Sequence, residues 1–444
     1  MIRPLAVALA LCATGPAAEP LPAPLTDADF PPVDMAEVEL GRLLFWDAEL
    51  SGNRNISCAS CHHPRFGTSD GLSLGIGEGG IGLGPDRRPD PDNYPEQRIP
   101  RNAPALWNVG ALGFTVMFAD GRIEADPGRS TGFRTPLEDE MVTGFDSILS
   151  AQTMFPVLSQ DEMAGHYAEN EISRLIRSGR ITGPDGAWSA ISARIAAIPE
   201  YEQMFKDVYP DIDAGRHIAF TDISNAIAAY MAFDFRSDTS PFDAYLRGDV
   251  QLDPDAMEGL RLFYGDAGCS TCHSGPLLTD MQFHAMGDQQ IGPGKAERFE
   301  SHQRDTGRQR VTGRPEDAYA FRTPSLRNVT LTAPYGHAGA YSDLRRYLVA
   351  HMSRGELPEP YDLGEAILPD MELTDEDWPM DGSLSDRAGI ADASRTAPID
   401  TPALQDAEIN SILAFLQALE DPQAANGGRM GIPETVPSGL VVER

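Results

Sequence analysis

Two copies of one short pattern constrain this chain more than anything else in it. Cys58-Ala59-Ser60-Cys61-His62 lies near one end and Cys269-Ser270-Thr271-Cys272-His273 beyond the middle. Each copy sets two thiols three positions apart and an imidazole directly after the second. The chain has five cysteines, and the fifth, Cys12, falls in an apolar leader, so none is left to build a disulfide framework. A closed zinc site is one reading, but zinc ribbons and fingers are compact, and more than 200 residues separate these pairs. A redox dithiol is a second reading, and it has no use for the histidine. Covalent haem c accounts for all three positions in both copies. The thiols add to the two vinyl groups on one edge of the porphyrin, and the next imidazole comes to lie under the ring, where it binds iron. Cys58, Cys61, Cys269 and Cys272 are therefore expected to carry two haem c groups, with His62 and His273 as iron ligands.

Export fits that reading, because bacteria attach haem c outside the cytoplasm. Residues 1–18 read as a signal peptide: Arg3 is the positive end, Leu5 to Leu11 the apolar run, and small residues precede a cleavage site near Ala18. The expected location is the periplasm. Leu11, large where a small residue would precede a lipidated cysteine, argues against anchoring through Cys12. A net charge of −32 argues against nucleic acid as a partner, since phosphate binding needs basic surface.

The pattern around each cysteine pair is also repeated. "GRLLFWD" (41–47) precedes the first and "GLRLFYG" (259–265) the second, both with helical apolar spacing. Amphipathic stretches at 222–235 and 406–421 close the two halves. The expected fold is mainly α, with two cytochrome c-like helical domains at 27–245 and 246–425. Long haem-wrapping loops are expected at 79–105 and 285–320, an acidic surface insertion at 361–400, and a frayed tail at 426–444. "GIGEGG" (75–80) matches a dinucleotide fingerprint, but no βαβ unit surrounds it.

Taken together, "LGRLLFWDAELSGNRNISCASCHHP", "PRNAPALWN", "DGR", "CSTCHSGPLLTD", "FRTPSLRNVTLTAPYGHAG" and "ILAFLQALED" resemble the bacterial di-haem cytochrome c peroxidases and MauG, the protein-modifying enzyme of methylamine utilisation. The resemblance runs from about residue 36 to 421. It implies a peroxidatic haem in the N-terminal half and an electron-transfer haem in the C-terminal half. It also implies catalytic roles for Gln152, Pro156 and Glu162, with Glu162 moving the peroxide proton and Asp161 its nearest competitor. A second axial ligand of the C-terminal haem is expected from 343–355, where an ungapped count favours His351 over Met352. A calcium ion between the haems would take Asn102, Thr332 and Pro334, and His337 would stand by the haem edge or calcium loop.

Two departures accompany the resemblance. The loop histidine that blocks the peroxidatic iron in enzymes needing reductive activation is replaced by Glu78, in a glycine-rich loop expected to be flexible. The tryptophan relay before "DGR" is replaced by Ala119, after Phe118, with Trp107 as a substitute or a core residue. His63, His166, His217, His284 and His302 are expected at the surface or in supporting positions. The expected activity is reduction of hydrogen peroxide with electrons from a small cytochrome c or copper protein. The alternatives are MauG-type oxidation of Trp or Tyr in a partner protein, and electron transfer alone. A homodimer is compatible with either enzyme reading.

Overall fold

The computed structural model describes residues 20–32, 34–292, 294–295, 302–353, 361–372, 385–397 and 403–444. The expected leader and Cys12 lie outside the described residues. No helix among the described residues is long and apolar enough to cross a membrane.

The sequence repeat is a repeated helix crossing. In the first half α1 (Met35–Trp46) precedes the haem-type turn α2 (Cys58–Cys61); α3 (Ile148–Thr153) follows, and α4 (Phe220–Asp234) packs back on α1. In the second half α5 (Pro254–Phe263) precedes the second cysteine pair, α6 (Leu344–Met352) follows, and α7 (Asp406–Gln417) packs on α5. The repeated glycine sits at both crossings. A methyl group at Gly41 would lie 1.8 Å from the Ala226 carbonyl oxygen, and one at Gly259 would lie 1.9 Å from that of Ser411. Any side chain there would push the helices apart. Local signals set the helix starts: the Asp34 carboxylate accepts from the Ala36 amide at 2.7 Å, and the Glu408 carboxylate accepts from Gln405 at 2.7 Å.

Each crossing has its own aromatic core. Phe45, Trp46, Tyr230 and Phe235 fill the first, and Phe242, Phe263 and Phe415 the second. Leu277 and Met281 come from the second half yet pack in the first core, so the halves interlock. Short antiparallel strands finish the junction. Phe283–His284 pairs with Phe321–Arg322, and the Arg322 amide donates to the Ala119 carbonyl at 2.8 Å.

The structure corrects one expectation and qualifies another. Residues 426–444 do not fray: they lie across the first half, with Val436 in its core. Asp47 and Asp234 are buried carboxylates that need donors, and the tail supplies them. Ser438 Oγ donates to Asp47 at 2.7 Å, and the amides of Arg429 and Met430 donate to Asp234 at 2.7 and 2.6 Å. The described parts of 361–400 lie at the surface, as expected, but are anchored at a few buried points. Tyr361 is buried with Leu74 and Ile291, and the backbone of Ile367 exchanges hydrogen bonds with Ser73, each 2.9 Å long.

Candidate active site

The two cysteine pairs present their histidines in the same way. His62 ends α2 and its Nδ1–H donates to the Thr68 carbonyl at 3.0 Å. Nδ1–H of His273 donates to the Leu278 carbonyl at 3.2 Å. Each bond fixes the tautomer and leaves Nε2 as the ligating nitrogen, the usual arrangement behind a metal-bound imidazole. Burial pushes the thiols of Cys58, Cys61 and Cys269 up to about 12. Protonated thiols are poor exchange nucleophiles, which argues against the dithiol reading. Cys58 and Cys61 pack on the first core and Cys269 on the second, so the four sulfurs do not gather in one zinc site. Cys272, Asp280 and His284 bring ligand atoms within 4.8 Å of one another, but Cys272 belongs to the second haem motif.

Later in the first half, one stretch carries all three expected catalytic residues. Gln152 lies in α3, Pro156 opens the next short turn, and Glu162 lies in a turn of π-helix, Gln160–Ala164. Met154, Val157 and Met163 from this stretch are set in the first core and fix it. The Glu162 charge is felt at the Cys61 thiol, so both belong to the same part of the first half. Burial holds the Glu162 carboxyl above the usual carboxylate range, with the Lys295 and Arg122 charges pulling the other way. Its competitor Asp161 is turned elsewhere, accepting a hydrogen bond from Gln97 Nε2.

In the second half, the ring centres of His273 and His351 are 6.5 Å apart. Two imidazoles sharing one metal through bonds of about 2.0–2.1 Å would bring their ring centres to about 6.3 Å. Met352, one residue on, packs against the second core instead. Arg322 is half-buried, and its described hydrogen bonds go to the carbonyls of Phe118 and Thr323 and to the Met281 sulfur. Desolvation lowers its pKa to about 10. A half-buried cation without a carboxylate partner among the described residues suits a haem propionate.

Comparison with known proteins agrees with this geometry. The family model described as di-haem cytochrome c peroxidase matches residues 35–251. The chain is 30% identical to the cytochrome c551 peroxidase of Pseudomonas aeruginosa, over 79% of this chain and 80% of that protein. The chain belongs to the di-haem cytochrome c peroxidase and MauG family. It is also 28% identical to the methylamine utilization protein MauG of Methylorubrum extorquens, over 73% of this chain and 71% of that one. A solved MauG-like protein associated with microbial copper homeostasis superposes with a TM-score of 0.57 at 27% identity, over 93% of this chain and 96% of its own. The chain is thus a di-haem oxidoreductase, and two haem c groups are its cofactors.

Within this family the departures can now be located. Glu78 is not in a flexible loop. Its side chain is buried, and its Oε1 accepts from the amides of Asn53, Asn55 and Asn93, each at 2.7 Å. Its Oε2 faces His166 Nε2 at 3.5 Å, and its backbone amide donates to the Asp161 carbonyl at 3.0 Å. His63 and His166, expected at the surface or in support, are both buried: His63 lies edge-on to Trp46, and His166 faces Glu78. Trp107 is a core residue, edge-on to Phe235. Of the expected calcium ligands, Asn102 donates through Nδ2 to the Leu72 carbonyl at 2.7 Å, while the Thr332 hydroxyl donates to Val329 at 3.0 Å. Pro334 follows a cis peptide bond in the same loop as Thr332. The Glu78 cage escaped sequence reasoning because a lone carboxylate or asparagine in a loop carries no periodic signal.

Proposed function

We propose that this chain reduces hydrogen peroxide in the bacterial periplasm, at the haem held by Cys58, Cys61 and His62. Electrons from a small cytochrome c or copper protein would enter at the haem held by Cys269, Cys272 and His273. The haems supply redox-active iron, and the chain supplies the proton handling. Overall, one peroxide, two electrons and two protons give two waters. Glu162 takes the proton from one peroxide oxygen and returns it to the other, so that O–O cleavage releases water. Its raised pKa suits a group that must both accept and donate. Gln152 donates a hydrogen bond to the bound peroxide, and Pro156 keeps the pocket narrow.

What supports this reading is a buried Glu162 on a π-turn in the same half as the first motif, with Asp161 bonded to Gln97 instead. His351 would join His273 in holding the C-terminal haem iron, a role supported by the separation of the two rings. Calcium at Asn102, Thr332 and Pro334 rests on the family resemblance and on oxygen donors suited to a hard cation. The second reading, MauG-type oxidation of Trp or Tyr in a partner protein, is favoured by the locked Glu78, which leaves the first iron open without prior reduction. Steady-state peroxide consumption by the holoprotein with reduced cytochrome c or copper protein tests the proposal. Rapid peroxide-dependent oxidation of the donor supports it. Reaction with peroxide that leaves both donors reduced would favour the second reading.

A further inference from the structure

The long loop of the second half carries a carboxylate that none of the expected roles uses. Asp288 is largely buried, its side chain 16% exposed. Three ring-bearing donors converge on it. The Tyr347 hydroxyl lies 3.3 and 3.4 Å from its two oxygens. His351 Nδ1 is 3.9 Å from Oδ1, and His337 Nδ1 is 3.9 Å from Oδ2. Both of these nitrogens are buried and lack any other hydrogen-bond partner. Tyr347 and His351 stand one turn apart on α6, so one helix face presents both to the same carboxylate. Asp288 therefore faces the back of the His351 ring.

We propose that Asp288 is the positioning residue of the C-terminal haem: its carboxylate accepts the Nδ1–H of His351, fixes the tautomer that turns Nε2 toward the His273 side, and thereby lowers the potential of that haem. This rests on His351 being the axial ligand, as proposed above. The separation of 3.9 Å is an ion-pair distance that a small rotation of the imidazole closes to a hydrogen bond. A carboxylate behind a ligating imidazole makes it more basic, which favours the oxidised metal. The opposite face offers a built-in contrast, because His273 Nδ1 donates to a neutral carbonyl, that of Leu278. The two ligands would thus have unequal donor strength, with Asp288 setting the stronger one. His337 ties the same carboxylate to the junction between the halves through its stack on Phe321, whose ring centre is 4.1 Å away.

The test is a spectroelectrochemical titration of the holoprotein with both haems loaded, comparing wild type, Asp288→Asn and Asp288→Glu. Asp288→Asn should keep the low-spin spectrum and raise the midpoint potential of the low-spin haem, leaving the high-spin haem where it was. Asp288→Glu should bring the raised potential back toward wild type. Loss of the low-spin signal in the Asn variant, restored by Glu, would equally support a positioning role. An unchanged low-spin potential in Asp288→Asn, or a loss that Glu does not restore, would overturn it. The underlying ligand assignment is checked separately: if His351→Ala keeps a low-spin haem, the assignment fails whatever Asp288 does.

Discussion

His273 and His351 face one another with ring centres 6.5 Å apart, although one ends a cysteine-bearing turn and the other closes α6. The helical phase of α6 decides which neighbour does this. Adjacent residues point about 100° apart on a helix, so when His351 turns to His273, Met352 must turn to the second core. His351→Ala should therefore convert a low-spin haem to high-spin and shift its potential. Met352→Ala should leave the spectrum unchanged and cost about 2–5 kcal/mol of stability at most, the range for truncating a packed methionine. EPR and visible spectra of the two variants check the pair of outcomes.

Glu162 should be the residue whose removal hurts turnover without hurting assembly. Glu162→Gln keeps the shape and the π-turn but cannot accept a proton. Both haem spectra should persist while peroxide reduction slows by roughly 10²–10⁴-fold. Asp161→Asn should have little effect on turnover, because that side chain is already engaged by Gln97. Comparable losses in both variants would move the proton-transfer role away from Glu162.

The caged Glu78 predicts the resting state. To reach iron it would have to leave three amide donors, each a charge-assisted hydrogen bond of about 1.5–3 kcal/mol. The oxidised holoprotein should then show one high-spin and one low-spin haem, and should react with peroxide on first mixing. EPR followed by stopped-flow mixing checks this. Two low-spin ferric signals, with no reaction until one electron is added, would mean that another residue closes the pocket.

Asp70 should make stability fall as pH rises. Burial pushes its carboxyl up to about 7, against the pull of the Leu72 amide and Arg87, from an ordinary value of 3.8. Between those values the folded chain keeps a proton that the unfolded chain has lost. The contribution is fully present below pH 3.8 and is gone once pH passes about 7. Asp70→Asn should remove this slope and be more stable than wild type at alkaline pH, by an amount on the order of a few kcal/mol. Thermal unfolding of the two holoproteins across that range measures it.

Much of the site was legible because its chemistry is local in sequence. A cysteine pair and the following histidine must be close along the chain to grip one porphyrin edge, so the spacing itself reports the function. Gln152, Pro156 and Glu162 are instead assigned by the family resemblance, which spacing alone does not supply. Helical phase separates His351 from its neighbour Met352 along the sequence. The repeated glycines could also be found, but their purpose could not: only the facing carbonyls of Ala226 and Ser411 show that each is a crossing point.

The sequence by itself determined the two haem motifs, the mainly helical class and the family, all of which depend on residues near one another in the chain or on periodic patterns. Only the tertiary structure decided what Glu78, Asp288 and the last residues do. Glu78 looked mobile among glycines, yet Asn53, Asn55, Asn93 and His166 come to it from separate segments. Asp288 carries no signal in the sequence, yet Tyr347, His337 and His351 surround it. The tail looked free, yet Asp47 and Asp234 draw it down. In each case a buried carboxylate is satisfied by donors distant in sequence. The cost of leaving such a group unpaired is set by the folded surroundings, and composition and periodicity carry no record of it.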